Sequence, residues 1–318
     1  MKPLLAAPLF VFLLACASGA AAEGSDNVVA DFRDAAHAQA SAASAGRPPA
    51  TTPDAASAVP VGDPFLWRVE GKSSPSFIFG TNHSVSVSAL NPIVLDLLAQ
   101  SKRLVLERTA VDDLWQTHPE LFQLPADQSL DQLLGPKLWS ILLKRVNPSI
   151  APEDLKTFRP FIAYASVKPS DGVQASKTTM DDELMKHAAD RGEPVEGLDT
   201  PEELYRFADR AVTLNVLRQS LEMGGDISGL VARSRKAYLD GDERAFKAID
   251  DEGAPLEDPS VGRIMVGERN AKWLPVLEAR LRSGGAFVAV GLEHVIGDGQ
   301  LIDLLRRDGF VVGRVVVR

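Results

Sequence analysis

Two stretches of the chain share a local design: Phe77-Ile78-Phe79-Gly80-Thr81-Asn82-His83 and Val288-Ala289-Val290-Gly291-Leu292-Glu293-His294. Each is an apolar run followed by Gly-x-x-His. Such a run reads as a buried strand. The glycine permits a backbone conformation or a close approach that a side chain would block, and the histidine emerges just past the strand end. In α/β sheets that edge is where ligands gather. A third run, Arg103-Leu104-Val105-Leu106-Glu107, ends in a carboxylate. If the three strands are aligned neighbours, His83, His294 and Glu107 converge at one rim. Two imidazoles and a carboxylate with an open position can hold a divalent ion that acidifies water and polarises a carbonyl. Mixed nitrogen and oxygen ligands do not choose the metal, so zinc, manganese, cobalt and iron all stay open. A single Gly-x-x-His carries little information, because a histidine after a strand more often fills a hydrogen-bonded structural role.

Other polar residues each have a sharp and a plain reading. Arg269 offers paired donors for an oxyanion or a substrate carboxylate, or pairs on a helix surface with Glu268. Asp181 suits an N-cap or first-turn acid ahead of catalysis. Glu293 could act as a general base beside His294, but a solvated loop carboxylate is the commoner case. Asn82 is an orienting partner or a turn residue. His118 and His187 lie in charged helical surroundings and read as surface residues. No His-Glu-x-x-His, Gly-x-Ser-x-Gly or phosphate loop occurs, and the single cysteine, Cys16, lies outside the domain, which removes zincin, serine-hydrolase, nucleotide-binding and cysteine-protease chemistry of the usual kinds.

Several elements must position these groups. Phe65–Val69 and Phe77–Phe79 flank a turn and predict a β-hairpin. A helix is expected from Pro92 to Ser101, then the strand ending at Glu107. Apolar residues at three- and four-residue spacing predict helices over Leu130–Val146, Met180–Ala189 and Pro201–Leu221, with a strand at Pro194–Leu198. Strands return at Ala286–Val290 and Phe310–Val317, around a helix at Leu301–Arg307. The fold class that follows is mixed α/β: N- and C-terminal strands share one sheet, with a large helical insertion between them.

At the N-terminus Lys2 precedes an apolar run from Leu4 to Ala15 and the small residues Ala20, Ala21 and Ala22, the pattern of a secretory signal peptide over 1–22. Two outcomes stay open: cleavage after Ala22, or lipidation at Cys16, which follows Leu13-Leu14-Ala15. Residues 23–61 are rich in Ala, Ser, Pro and Thr, include His37, and read as a flexible tether before a domain at 62–318. The expected location is outside the cytoplasm, periplasmic or extracellular, with the membrane touched only through a lipid anchor. One cysteine allows no intrachain disulfide. Forty-three acidic against 34 basic residues give a net charge of −9, and no basic face with interleaved aromatics appears, which argues against nucleic acid.

From Phe65 to Val317 the chain resembles the TraB/GumN family, whose relatives include the Tiki metalloproteases and, more distantly, erythromycin-esterase and ChaN-like proteins. The resemblance rests on both Gly-x-x-His stretches, Leu104–Glu107, Met180-Asp181-Asp182-Glu183-Leu184, Pro194 to Thr200, Arg269-Asn270-Ala271-Lys272-Trp273, and Val295-Ile296-Gly297 with Leu301, Leu304, Leu305, Gly309 and Phe310. Asp199 departs from the glutamate usual in the family's Leu-Glu-Thr run, which puts a catalytic role there in doubt. The resemblance implies a metal-dependent hydrolase, with a peptide or small-molecule substrate: His83, His294 and Glu107 on a divalent ion such as Mn, Co or Zn, Glu107 and Arg269 catalytic, Gly80 and Gly291 the loop glycines. The alternative it leaves open is a non-catalytic envelope protein that binds a ligand in support of polysaccharide production.

Overall fold

The computed structural model describes residues 62–109, 114–167, 179–223, 228–253 and 258–317. The expected signal peptide and tether, with Cys16 and His37, lie outside the described residues. Six strands make one mixed sheet: β1 (Leu66–Val69), β2 (Ser76–Thr81), β3 (Arg103–Arg108), β4 (Val195–Asp199), β5 (Ala286–Gly291) and β6 (Val312–Arg314), in the order β4-β3-β5-β2-β1-β6. β4, β3, β5 and β2 run parallel, whereas β1 is antiparallel to both β2 and β6. Every residue of β2 and β5 is buried. Parallel strands covered on both faces require this, and it is why their sequences are unbroken apolar runs rather than alternating ones. β5 arrives from the far end of the chain and slots between β2 and β3, so the terminal strands do share one sheet around a helical insertion.

The helices are α1 (Ile93–Ala99), α2 (Leu130–Arg145), α3 (Met180–Asp190), α4 (Pro201–Ala211), α5 (Leu214–Met223), α6 (Ser228–Asp240), α7 (Glu243–Gly253), α8 (Arg269–Ser283) and α9 (Leu301–Arg307), with shorter turns between them. Part of the insertion packs on itself. Leu130, Leu134, Leu138 and Leu142, four apart on one helix face, meet Leu217 and Leu221, while Phe161, Ala208, Ala211, Val216, Ile264 and Met265 form a neighbouring apolar cluster.

Three expected elements differ. α2 bends at Gly135, whose φ is 74°, because Pro136 disfavours helical geometry in the residue before it. The helix expected over Pro201–Leu221 is two: Thr213 Oγ1 accepts from the Val216 N–H and opens α5 after α4 has ended. The last strand covers only Val312–Arg314, since the Phe310 N–H instead closes the end of α9 on the Leu305 carbonyl.

Two capping boxes set helix starts beside the sheet edge. Thr179 with Asp182 opens α3, and Thr200 with Glu203 opens α4 directly after β4. α8 is entered through a helical turn at Pro259–Gly262 and a π-helical segment, Arg263–Glu268, whose wider turn immediately precedes Arg269.

Candidate active site

β2, β5, β3 and β4 end along one edge, with Thr81 paired to Gly291 and Arg108 to Asp199. Gly80 faces Val290, so the two Gly-x-x-His stretches lie one residue out of step. After β2 the chain turns through Asn82, whose Oδ1 accepts from the Ser84 N–H at 2.9 Å and its hydroxyl at 2.6 Å. That is the turn role expected of Asn82, and it leaves His83 partly exposed. After β5 the chain enters the single helical turn Leu292–Val295, which carries His294 inward. Gly80 is required by close approach: a Cβ there would stand 2.5 Å from Leu292 Cδ1 and 3.2 Å from Leu292 Cα. Gly291, with φ −50° and ψ 139°, has a backbone open to any residue. Its contribution is an N–H that donates to Glu107 Oε1 at 2.7 Å.

Beneath this rim Arg269 is 1% exposed, His294 2%, Asp199 4% and Glu107 6%. The guanidinium joins the other three. Nη2 donates to Glu107 Oε2 at 2.7 Å, Nε to Asp199 Oδ2 at 2.8 Å, and Nη1 to His294 Nε2 at 3.2 Å and the Met265 carbonyl at 3.3 Å. Asp199 Oδ1 takes Lys272 Nζ at 2.8 Å and Trp273 Nε1 at 2.9 Å. The Trp273 ring lies 4.5 Å from both the guanidinium carbon and the imidazole centroid. Arg269, Lys272 and Trp273 reach one place because positions i, i+3 and i+4 share a helix face. Asn270 completes the cluster, its Nδ2 donating to the His294 carbonyl at 3.1 Å and Gln300 Oε1 at 2.6 Å. Its Oδ1 is thereby the acceptor for His294 Nδ1–H at 2.8 Å, which fixes the tautomer and leaves the Nε2 lone pair to Arg269.

The model of the TraB/PrgY/gumN family matches residues 65–314, a span that holds all six strands and every residue of this cluster. The chain belongs to the TraB/PrgY/gumN family. No curated protein and no solved structure matches it.

The charges of this TraB/PrgY/gumN site divide into two groups. Burial alone would push the Glu107 carboxyl up, but the Arg269 and His294 charges and the Gly291 N–H outweigh it and hold the group at about 2. Burial drives His294 down to about 3, with Arg269 adding and Glu107 opposing. The imidazole is therefore neutral at ordinary pH, and its 3.8 Å approach to Glu107 is not an ion pair. On the other side of the edge burial raises Asp181, against the lowering effect of His83 and with the Glu107 charge adding. Burial likewise lifts Glu293 to about 8, the Asp250 and Glu107 charges adding, and its Oε2 is sealed without a hydrogen-bond partner. Burial also raises the Tyr238 phenol, with the Asp181 and Glu293 charges adding, and its hydroxyl donates to the Gly80 carbonyl at 2.7 Å.

These placements correct several expectations. Glu293 is a half-buried acid on a helical turn, with one carboxylate oxygen enclosed, rather than a solvated loop carboxylate. Glu268 pairs with Arg210 and Arg263, so Arg269 does not belong to the helix surface, and its enclosure keeps its donors from a substrate. Asp181 is a first-turn acid of α3, the cap being Thr179, but it also faces His83. His118, beside Glu120, and His187 are exposed, as expected. Asp199, Asn270 and Trp273 are the site residues that sequence reasoning undervalued. The polar and aromatic residues of Arg269-Asn270-Ala271-Lys272-Trp273 at helical spacing were the available signal.

The metal set expected of His83, Glu107 and His294 does not fit this arrangement. The Nε2 lone pair of His294 is committed to Arg269, whose positive charge also lies against Glu107 Oε2, and His83 stands partly exposed on the turn after β2, outside this buried cluster. Among the described residues no three His, Cys, Asp or Glu side chains are grouped to hold an ion.

Proposed function

We propose that the chain is a hydrolase that cleaves a peptide or a related acyl bond at the C-terminal edge of β2, β5 and β3, with His83 taking a proton from the attacking water. The observation that carries this reading is the division of the edge into a sealed half and a reachable half. Arg269, Glu107, His294 and Asp199 form an enclosed floor, whereas His83 is partly exposed and has the carboxyl of Asp181 within its field. An imidazole steadied by a carboxyl and open to substrate is the usual equipment of a general base. In the reaction the water oxygen bonds to the acyl carbon while His83 accepts the water proton. The bond to the leaving group then breaks as His83 returns that proton to it. Arg269 acts as a positioning residue that holds Glu107 ionised below the imidazole. The apolar run Leu4–Ala15 after Lys2 supports an exported protein, so the substrate is taken to lie outside the cytoplasm.

The mutual saturation of the buried cluster favours a second reading, a scaffold beneath a cleft that binds a ligand without turnover. Quenched fluorescent peptides and a panel of acyl esters, offered to full-length wild type and to His83→Ala, separate the two. Hydrolysis by wild type that falls by roughly 100-fold or more in kcat/KM for His83→Ala, at unchanged melting temperature, is the expected result. Equal turnover by the variant, or saturable binding with no product from any substrate, would falsify the hydrolytic reading.

A further inference from the structure

Three groups that commonly ligate metals surround the Arg269 guanidinium: Glu107 Oε2 at 2.7 Å, Asp199 Oδ2 at 2.8 Å and His294 Nε2 at 3.2 Å. One imidazole and two carboxylates suit a divalent ion in ligand type. The outer contacts are also those of a metal-binding histidine, since Asn270 takes the Nδ1 proton and turns the Nε2 lone pair inward. We propose that Arg269 occupies the place of the cation in this site, so that Glu107, Asp199 and His294 take up a divalent ion only when the guanidinium is removed.

Charge and shape both support this. Glu107 and Asp199 are balanced by Arg269 and Lys272, so a divalent ion added beside the guanidinium would bring an unbalanced double charge into a site almost without solvent. The planar guanidinium stacks 4.5 Å from the Trp273 ring centre, a contact that a metal ion with its coordination shell does not reproduce. Five N–H donors in a fixed plane serve acceptors in three separate directions, so the one guanidinium engages both carboxylates and the imidazole. The proposal rests on the buried cluster alone and does not require that the chain hydrolyse anything.

The test uses chelator-treated, full-length protein titrated with Zn²⁺ and with Mn²⁺, with bound metal counted by mass spectrometry and stability followed by melting. Wild type is expected to melt at the same temperature with and without the ion. Arg269→Ala is expected to be strongly destabilised without metal and to regain stability with one ion per chain, a gain that Arg269→Ala/His294→Ala loses. Stoichiometric metal on wild type, removed by His294→Ala or Glu107→Gln, overturns the proposal. So does a folded Arg269→Ala that gains no ion dependent on His294. Should Arg269→Ala not fold with or without metal, ¹⁵N NMR of the His294 imidazole in wild type decides. An Nε2 resonance that one equivalent of Zn²⁺ leaves unmoved supports the proposal, and an Nε2 shift on adding Zn²⁺ refutes it.

Discussion

Asp199 gathers three donors, Arg269 Nε, Lys272 Nζ and Trp273 Nε1, at a position 4% exposed. A carboxylate so placed is the counter-charge on which the buried guanidinium depends. Asp199→Asn would turn a neutral amide, with donors of its own, toward N–H groups, and is expected to cost about 3–5 kcal/mol in urea unfolding, the range found when one partner of a buried ion pair is removed. Trp273→Phe keeps an aromatic ring beneath Arg269 but loses one hydrogen bond and part of a fully buried indole, so about 2 kcal/mol is expected from the same measurement. Near-equal losses for the two variants would mean that packing rather than charge holds the cluster together. Asp181 plays a different part, since it faces His83. Asp181→Asn should fold with urea stability at neutral pH at or above that of wild type, since the charge that burial disfavours is gone, while moving the pH dependence of kcat/KM for any hydrolysed substrate, and a profile that stays in place would separate Asp181 from the working imidazole.

At the scale of elements, the contact between Gly80 on β2 and Leu292 on the turn after β5 sets how deeply His294 is seated. Gly80→Ala should cost about 1–3 kcal/mol by chemical denaturation, the usual range for overpacking, and Leu292→Ala in the same chain should recover part of the loss because Leu292 Cδ1 is the nearest obstacle. A strictly additive double variant would show that the clash is relieved elsewhere. The strands were the legible part of this architecture: Phe77–Phe79, Leu104–Leu106 and Ala286–Val290 are unbroken apolar runs, and parallel strands buried on both faces demand little else. The placing of both histidines beyond strand ends could be read in the same way. Their partnership could not. Spacing along the chain says nothing of register, and a one-residue offset puts His83 on an open turn and His294 inside a helical turn under Arg269. Asp199 was discounted because its side chain is shorter than the expected glutamate, yet α8 brings Arg269, Lys272 and Trp273 to meet it. Gly135-Pro136 is a breaker pair visible in the sequence, whereas the division at Val212-Thr213 depends on one side-chain cap.

For the molecule as a whole, the buried titrating groups define a stability profile. His294, held near 3 against an ordinary 6.5, binds a proton only when unfolded across that interval, so stability falls as pH drops from 6.5 toward 3. Glu107, at about 2 against 4.5, adds to the loss below 4.5. Glu293 has the opposite sign: lifted from 4.5 to about 8, it stays protonated in the fold, and stability falls as pH rises between those values, with Asp181 working in the same direction. Each group contributes a slope of about 1.4 kcal/mol per pH unit in its own window. His294 and Glu293 therefore largely cancel between 4.5 and 6.5, and urea midpoints should form a plateau there, falling on both sides and more steeply on the acid side. In Glu293→Gln the alkaline decline should shrink, and an unchanged decline would assign it to other groups. The sheet order also governs time. β2 and β3 have no shared neighbour until β5, at Ala286–Gly291, has been made. A growing chain thus carries two bare strand edges through nearly the whole of synthesis, and neither the floor of the site nor its rim can form early. Chains halted before residue 286 should be held by chaperones or aggregate, leaving no partly built site to act prematurely.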